Sequence, residues 1–284
     1  MKAWLLAARP KTLSAAVVPV LIGTALAAHE PAAITWWVFF CALIGAMLIQ
    51  IATNFINDAL DFKKGADTAE RLGPIRVTQA GLIRPETVMT AAWVCLFGAA
   101  LYGVPLIYRG GWPMLIIGLA SIAAAYAYTG GPYPLAYRGL GEVFVLIFFG
   151  LVAVGGTFYV HSLQLTRGAL LAGFAAGSLA TVLLVINNLR DVDGDRRSDK
   201  RTTVVRFGER FARAEIVFFT LAPFVAVALI GRPGLLVTLL ALPLAIGVLV
   251  RVMRSHGAEL NRCLGMAGAL QWAFGILFVI GSMF

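Results

Sequence analysis

Two stretches of this 284-residue chain carry side chains suited to gripping a cation together with a polyanion. The first reads Asn54-Phe-Ile-Asn57-Asp58-Ala-Leu-Asp61 and runs on through Lys63, Lys64 and Asp67. The second reads Asn187-Asn188-Leu-Arg190-Asp191-Val-Asp193-Gly-Asp195 and runs on through Arg196, Arg197, Asp199, Lys200 and Arg201. If each helix continues through its cluster, Asn54, Asp58 and Asp61 fall at i, i+4 and i+7 on one face. Asn187, Asp191 and Asp195 fall at i, i+4 and i+8, nearly one face again. Like charges stacked this way repel, and a membrane boundary adds a desolvation cost. A hard cation relieves both. Mg²⁺ takes one or two carboxylates and fills its other positions with water and phosphate oxygens. Asn54, Asp58, Asp61, Asp191 and Asp195 are therefore the candidate metal ligands. The four aspartates are the candidate catalytic groups, and two facing stripes suggest two ions. Lys63, Arg71, Arg76, Lys200 and Arg201 follow the acids and are candidates to hold a diphosphate. Asp193 and Asp199 point off the second stripe and read as solvated charges. The shared Asn-x-x-x-Asp core hints at a duplicated unit.

Long apolar helices must carry these clusters. Hydrophobic residues make up 60% of the chain and charged residues 13%. A soluble domain carries about 25% charged residues, and disorder would leave too much apolar surface in water. Nine runs free of Asp, Glu, Lys and Arg reach membrane-relevant length: 12–29, 31–57, 87–108, 110–137, 143–166, 168–189, 216–231, 233–250 and 263–284. A spanning helix needs about 20 such residues, so 216–231 is the marginal one. Backbone polar groups in lipid are satisfied only by helices or closed barrels, and these runs are too long for barrel strands. The expectation is an all-α integral membrane protein, one domain over 1–284, with nine transmembrane helices around a central cavity. The first run reads as a span rather than a removable signal peptide.

Nine spans put 20 of the 23 Lys and Arg on the side of the N-terminus, leaving Arg109, Arg167 and Arg232 opposite. By the positive-inside rule that side is cytoplasmic, in a cell (inner) membrane, with the site opening to the cytoplasm. Of the 14 acids all but Glu30 fall there too. The net charge of +9 suits anionic lipid headgroups and gives no reason to invoke nucleic acid. Cys41, Cys95 and Cys263 lie far apart without CxxC spacing and read as small hydrophobes. A secondary transporter is the reading from a different class. Transporter sites lie near the bilayer midplane, whereas here the acids gather at one face.

On these residues the chain resembles the UbiA superfamily of intramembrane aromatic prenyltransferases. That family has nine helices and two Asp-rich motifs, NDxxDxxxD and DxxxD, after the second and sixth. Asn57-Asp58-Ala-Leu-Asp61 matches the first, with Asp67 two residues later than the usual third acid. Asp191-Val-Asp-Gly-Asp195 matches the second. The stretches RPKTLSAAVVPVLIGTALA, NDALDFKKGADTAERLGPIRVTQAG, YTGGPYPLAYRGLGEVFVLIFFGLVAVGGTFYV and NNLRDVDGDRRSDKRTTVVRFG look like the branch acting on 1,4-dihydroxy-2-naphthoate in menaquinone synthesis. The resemblance covers about residues 9–210. It implies Mg²⁺-dependent transfer of a polyprenyl group from its diphosphate, with loss of CO₂ and diphosphate, giving demethylmenaquinone. Sister enzymes take 4-hydroxybenzoate, homogentisate or a chlorophyllide instead.

The same resemblance directs attention to an acceptor site. An aromatic acid needs a cation for its carboxylate, and Arg9 and Lys11 flank Pro10 at the start of the first helix. Glu142 could position or deprotonate the acceptor hydroxyl, or cap its helix. Gln79, Asn187 and Asn188 are polar candidates beside the motifs. Tyr126 and Tyr133, in the segment Tyr126-x-Tyr128-Thr-Gly-Gly-Pro-Tyr133, could offer π faces to an allylic cation or belong to an interfacial belt. Gly130, Gly131, Pro132 and Pro134 predict a broken helix end there. Gly150, Gly155 and Gly156 either permit close packing or leave a groove for the tail.

Overall fold

The computed structural model describes residues 1–29, 34–67 and 71–284, and every regular element among them is a helix. Glu30 lies outside the described residues. In chain order the helices are α1 (Lys2–Ala8), α2 (Ser14–Ala27), α3 (Trp36–Lys63), α4 (Pro85–Gly110), α5 (Trp112–Ala127) and α6 (Gly141–Ser162). They continue with α7 (Arg167–Arg190), α8 (Val192–Arg197), α9 (Thr203–Phe207), α10 (Glu209–Ile230), α11 (Pro233–Arg254) and α12 (Gly257–Gly281).

Seven of these are long and apolar enough to cross a membrane: α3, α4, α6, α7, α10, α11 and α12. The pair α1 and α2 makes an eighth, bent by 49°. The bend sits at Arg9, whose φ of 50° is left-handed and closes α1, with Pro10 next in the chain to disfavour a helical Arg9. The nine spans expected from charge-free runs therefore become seven, or eight with the bent pair. The shortfall lies at α5, which has 16 residues. It stops where Gly131 takes a φ of 76° and Pro132 and Pro134 offer no N–H.

The bundle is built around α7, the most buried of the spans. It packs on α2, α6, α10 and α12, and its inner face carries Ala, Gly and Ser at 169, 172, 173, 175, 176, 177 and 178. Small residues let backbones approach closely in lipid, where association rests on packing. A Cβ on Gly150 of α6 would stand 2.7 Å from the Gly177 Cα, so this glycine serves the α6–α7 crossing. Gly156 instead faces an internal cavity. Gly177→Leu is expected to cost about 1–3 kcal/mol by overpacking, read as a lower thermal midpoint in detergent. Gly155→Ala would meet only the Leu165 Cδ1 at 3.5 Å and should leave the midpoint unchanged.

Candidate active site

The last three turns of α3 carry the first acid stripe as a continuous helix through Lys63. Asn54, Asp58 and Asp61 are all buried. The Asn54 amide donates to the Ala8 carbonyl and the Thr12 hydroxyl, both at 3.0 Å, and so ties α3 to the bend below α2. Asp58 accepts three donors from the loop after the motif. These are the Val77 N–H at 3.2 Å, the Thr78 N–H at 3.0 Å and the Thr78 hydroxyl at 2.5 Å. Asp61 accepts from the Tyr137 hydroxyl at 2.9 Å and has Arg76 Nη2 at 3.5 Å from its other oxygen.

The second stripe is not one helix. α7 ends at Arg190, Asp191 caps it with φ −96° and ψ 10°, and α8 starts anew at Val192. The break aims the two acids at different cations. Arg190 donates to both Asp191 oxygens, at 2.8 and 2.6 Å. Asp195 Oδ1 lies 3.4 Å from Lys200 Nζ, while its buried Oδ2 has no hydrogen-bond partner among the described residues.

One guanidinium joins the two motifs. Arg71 Nη1 meets Asp67 at 2.5 Å and its Nη2 lies 3.6 Å from Asp191. Arg76 Nε sits 3.1 Å from the other Asp67 oxygen. Asp67, the late acid of the first motif, is thus embraced by two arginines. Burial pushes the Asp67 carboxyl up to about 6, against the pull of Arg71. Burial likewise lifts Asp195 to about 6, against Lys200. For Arg71, burial works against the charge, but Asp67, Asp191 and Asp61 outweigh it and hold its pKa above the ordinary value. For Asp191, burial is outweighed by Arg190, Arg71 and Lys200, which hold it below the usual carboxylate range.

Of the other sequence candidates, Lys63 pairs with Glu86 at 3.4 Å with both side chains largely exposed. Arg201 pairs with Asp199, also on the surface, as Arg196 does with Asp193. Tyr126 stacks on Trp93, and the exposed Tyr133 lies under Arg138. Lys11 is exposed and Gln79 half-buried. Arg9 has a buried Nη2 without a partner among the described residues. Asn187 is half-buried on α7, whereas Asn188 donates to Glu142 Oε1 at 2.9 Å.

The sequence reading passed over four residues. Tyr137 holds Asp61 and lies beneath both Lys64 and Lys200; only its neighbourhood in an aromatic, glycine-rich stretch could have flagged it. Thr78 had no signal at all. Arg190 was visible as a cation adjoining Asp191. Asn261 of α12 accepts from Arg190 and donates to the Leu72 carbonyl, each at 2.8 Å. It belongs to the stretch where the sequence shows little beyond hydrophobicity.

An apolar cavity of about 400 Å³ lies between α2, α3, α4, α5 and α6. Gln50, Thr53 and Tyr128 line its charged end, and Cys41, Met114 and Val160 the far one. Gln50 donates to the Thr12 hydroxyl that also accepts from Asn54, and Tyr128 lies within electrostatic reach of Asp61, so this end of the oily slot adjoins the acid network.

A divalent ion was tested against these residues. Among the described residues no group of three His, Cys, Asp or Glu side chains converges into a closed cage. Mg²⁺ does not need one, since it binds through one or two carboxylates plus phosphate oxygens and water. The unpartnered Asp195 Oδ2, with Asp61 and Asp191 within electrostatic reach of the same Lys200, is a donor set of that open kind.

Residues 16–281 match the UbiA prenyltransferase family. The chain belongs to that family. Among UbiA relatives, the 1,4-dihydroxy-2-naphthoate octaprenyltransferase of Mycobacterium tuberculosis is 38% identical over 96% of this chain and 98% of its own. The Escherichia coli enzyme of the same name is 38% identical over 99% and 94%. A solved UbiA homologue from Aeropyrum pernix K1 superposes with a TM-score of 0.72 at 16% identity, covering 95% of this chain and 97% of that one. Another, from Archaeoglobus fulgidus and bound to GPP and Mg²⁺, gives 0.66 at 14% identity, over 98% and 99%. These likenesses establish the UbiA fold for the all-helical bundle.

Proposed function

We propose that the chain transfers a polyprenyl group from polyprenyl diphosphate to 1,4-dihydroxy-2-naphthoate, releasing CO₂ and diphosphate and giving the quinol form of demethylmenaquinone. The observation that carries this reading is the Arg71 guanidinium spanning Asp67 and Asp191, in an acid network that reaches the apolar cavity through its lining residues Gln50 and Tyr128. Charge for a diphosphate and an oily slot for its tail meet at one place. The near-full-length relatives supply the acceptor.

Asp61, Asp191 and Asp195 would hold Mg²⁺, which supplies neutralising charge for the leaving diphosphate. Two ions fit the two motifs. Arg71, Arg76 and Lys200 contribute charge-assisted hydrogen bonds to the diphosphate oxygens. Arg9, with its unpartnered nitrogen within electrostatic reach of Asp58, Asp61 and Asp67, takes the acceptor carboxylate. The isoprenoid lies along the cavity, kept from water as its allylic C–O bond weakens. Lys63, Arg201, Tyr126 and Tyr133 have surface partners and no part in this scheme. The basic-residue asymmetry orients the site towards the cytoplasm.

Membranes containing the protein, incubated with Mg²⁺, a polyprenyl diphosphate and each acceptor in turn, test the assignment. Prenylated naphthoquinol is expected. Product only from 4-hydroxybenzoate, homogentisate or a chlorophyllide would move the chain to a sister branch.

A further inference from the structure

Behind the metal motifs lies a second pair of carboxyl groups that the scheme above leaves unused. Glu142, at the start of α6, is buried. Its Oε1 accepts from the Asn188 amide at 2.9 Å and the Thr203 hydroxyl at 2.8 Å. Its Oε2 is buried without a hydrogen-bond partner among the described residues. The same Thr203 Oγ1 stands 3.3 Å from Glu215 Oε2 of α10.

A hydroxyl has one proton to donate. Thr203 can donate to one of these carboxyls only, and the other contact is attractive only if that carboxyl brings a proton of its own. The shorter contact and the additional Asn188 donor both fall on Glu142 Oε1, so Glu142 is the ionised partner. Glu215 is then the neutral acid, donating to Thr203. Its position agrees, since it is half-buried and adjoins the charge-free run 216–231 of a spanning helix, where an unpaired charge is costly.

Glu142 stands just behind the wall of the substrate space, within electrostatic reach of the lining Tyr128. Phe144, Val145 and Phe148, on the turns following Glu142, line the cavity, as does Tyr128. The Tyr128 hydroxyl is 3.2 Å from where a Cβ on Gly141 would stand. Tyr128, on the segment after α5, and Glu215, on α10, are the titratable groups within electrostatic reach of Glu142 that the packed elements supply.

We propose that Glu142 Oε2 is the general base for the acceptor hydroxyl, and that Glu215 acts through Thr203 as a positioning residue that keeps Glu142 charged and oriented. The acceptor O–H proton passes to Oε2, and its electron pair flows into the ring. The ring carbon bearing the carboxylate forms the C–C bond as the allylic C–O bond to diphosphate breaks. Loss of CO₂ from that carbon returns its electron pair to the ring, and Oε2 gives the proton back to the oxygen. The deprotonation rests on the prenyltransferase reading and applies to any phenolic acceptor, whereas the loss of CO₂ belongs to the naphthoate alone.

The test compares Glu142→Gln, Glu215→Gln, Glu215→Ala, Thr203→Ser and Thr203→Val in detergent, on whichever acceptor the wild-type protein prenylates. Glu142→Gln should lower kcat about 10²–10⁴-fold, the range for a lost acid–base group, with each KM within about threefold. Glu215→Gln keeps a neutral donor and should retain kcat within about threefold, as should Thr203→Ser. Glu215→Ala and Thr203→Val should each lose at least about tenfold, the scale of one lost hydrogen bond to a charged group. Infrared spectra provide a readout free of turnover: a protonated-carboxyl band present in wild type, absent in Glu215→Gln and retained in Glu142→Gln. Full activity in Glu142→Gln, equal damage from both Gln variants, or a band that survives in Glu215→Gln overturns the proposal. A wild-type protein that prenylates none of the acceptors overturns the functional reading instead, while the infrared assignment still stands or falls alone.

Discussion

Asp195→Asn is expected to lower kcat/KM by about 10²–10³-fold while leaving the protein folded. The substitution keeps shape and removes one charge. Asp195 Oδ2 has neither a hydrogen bond nor an ion pair among the described residues, so that oxygen is free for an ion and its bound diphosphate. Removing one preorganised electrostatic contact to a developing negative charge costs on the order of 3–4 kcal/mol of transition-state stabilisation. The Lys200 contact at 3.4 Å is long and supplies little that Asn would lose structurally. The Mg²⁺ concentration for half-maximal rate should rise in the same variant. Asp58→Ala makes the contrast. Its carboxylate is committed to three donors from Val77 and Thr78, so its loss should unpin the loop bearing Arg71 and Arg76 and lower the thermal midpoint as well as activity. Prenyl transfer rates across a Mg²⁺ titration, with melting curves alongside, separate the two outcomes. An Asp195→Asn enzyme with unchanged Mg²⁺ dependence would remove Asp195 from the ion site.

What the sequence displayed, and what it hid, follows from the range of each interaction. The first stripe was legible because Asn54, Asp58 and Asp61 are tied by helical periodicity alone, and α3 does run through them. The second stripe, which needed its helix to continue, is interrupted at Asp191. Asp191 can end α7 because adjacent Arg190 and distant Arg71 both draw its carboxylate out of line, and only the first of these is local. Asp67 looked misplaced for a ligand by its spacing, and the structure gives it a different task as counter-ion to Arg71 and Arg76. Lys63 and Arg201 were near the motifs in sequence but face the surface, since proximity along the chain says nothing of the direction of a long side chain past a helix end. Glu215 adjoins the marginal run 216–231 and belongs to neither acid motif. Its partner Thr203 lies on another helix, and no periodicity links them. Chain-wide hydropathy gave the membrane class but not helix lengths, because the run 110–137 contains the Gly-Pro break that stops α5 at 16 residues.

Gly118→Phe is expected to turn the protein into a short-chain enzyme. Gly118 lines the cavity on α5, and a Cβ there would meet nothing within 4 Å, so the slot is open at that point. It lies one turn from Met114 at the far end and ten residues, about 15 Å at the helical rise, before Tyr128 at the charged mouth. A benzyl group placed there closes the slot to a long tail without touching the acids. A tail that cannot enter leaves apolar carbon without its protein contacts, at about 0.8 kcal/mol per CH₂ by area. Several such groups displaced make a discrimination of at least about 100-fold, since 1.4 kcal/mol is a factor of ten. A diphosphate with one or two isoprene units should stop before the block and keep kcat/KM within about threefold of wild type. Gly156→Ala is the milder neighbour, because its Cβ would meet Ile117 Cδ1 at 3.3 Å and only narrow the slot. Rates with a series of prenyl diphosphates of increasing length give the profile directly. If long and short donors lose activity equally in Gly118→Phe, the tail does not run along this cavity, and the diphosphate network at its mouth must receive the chain from another direction.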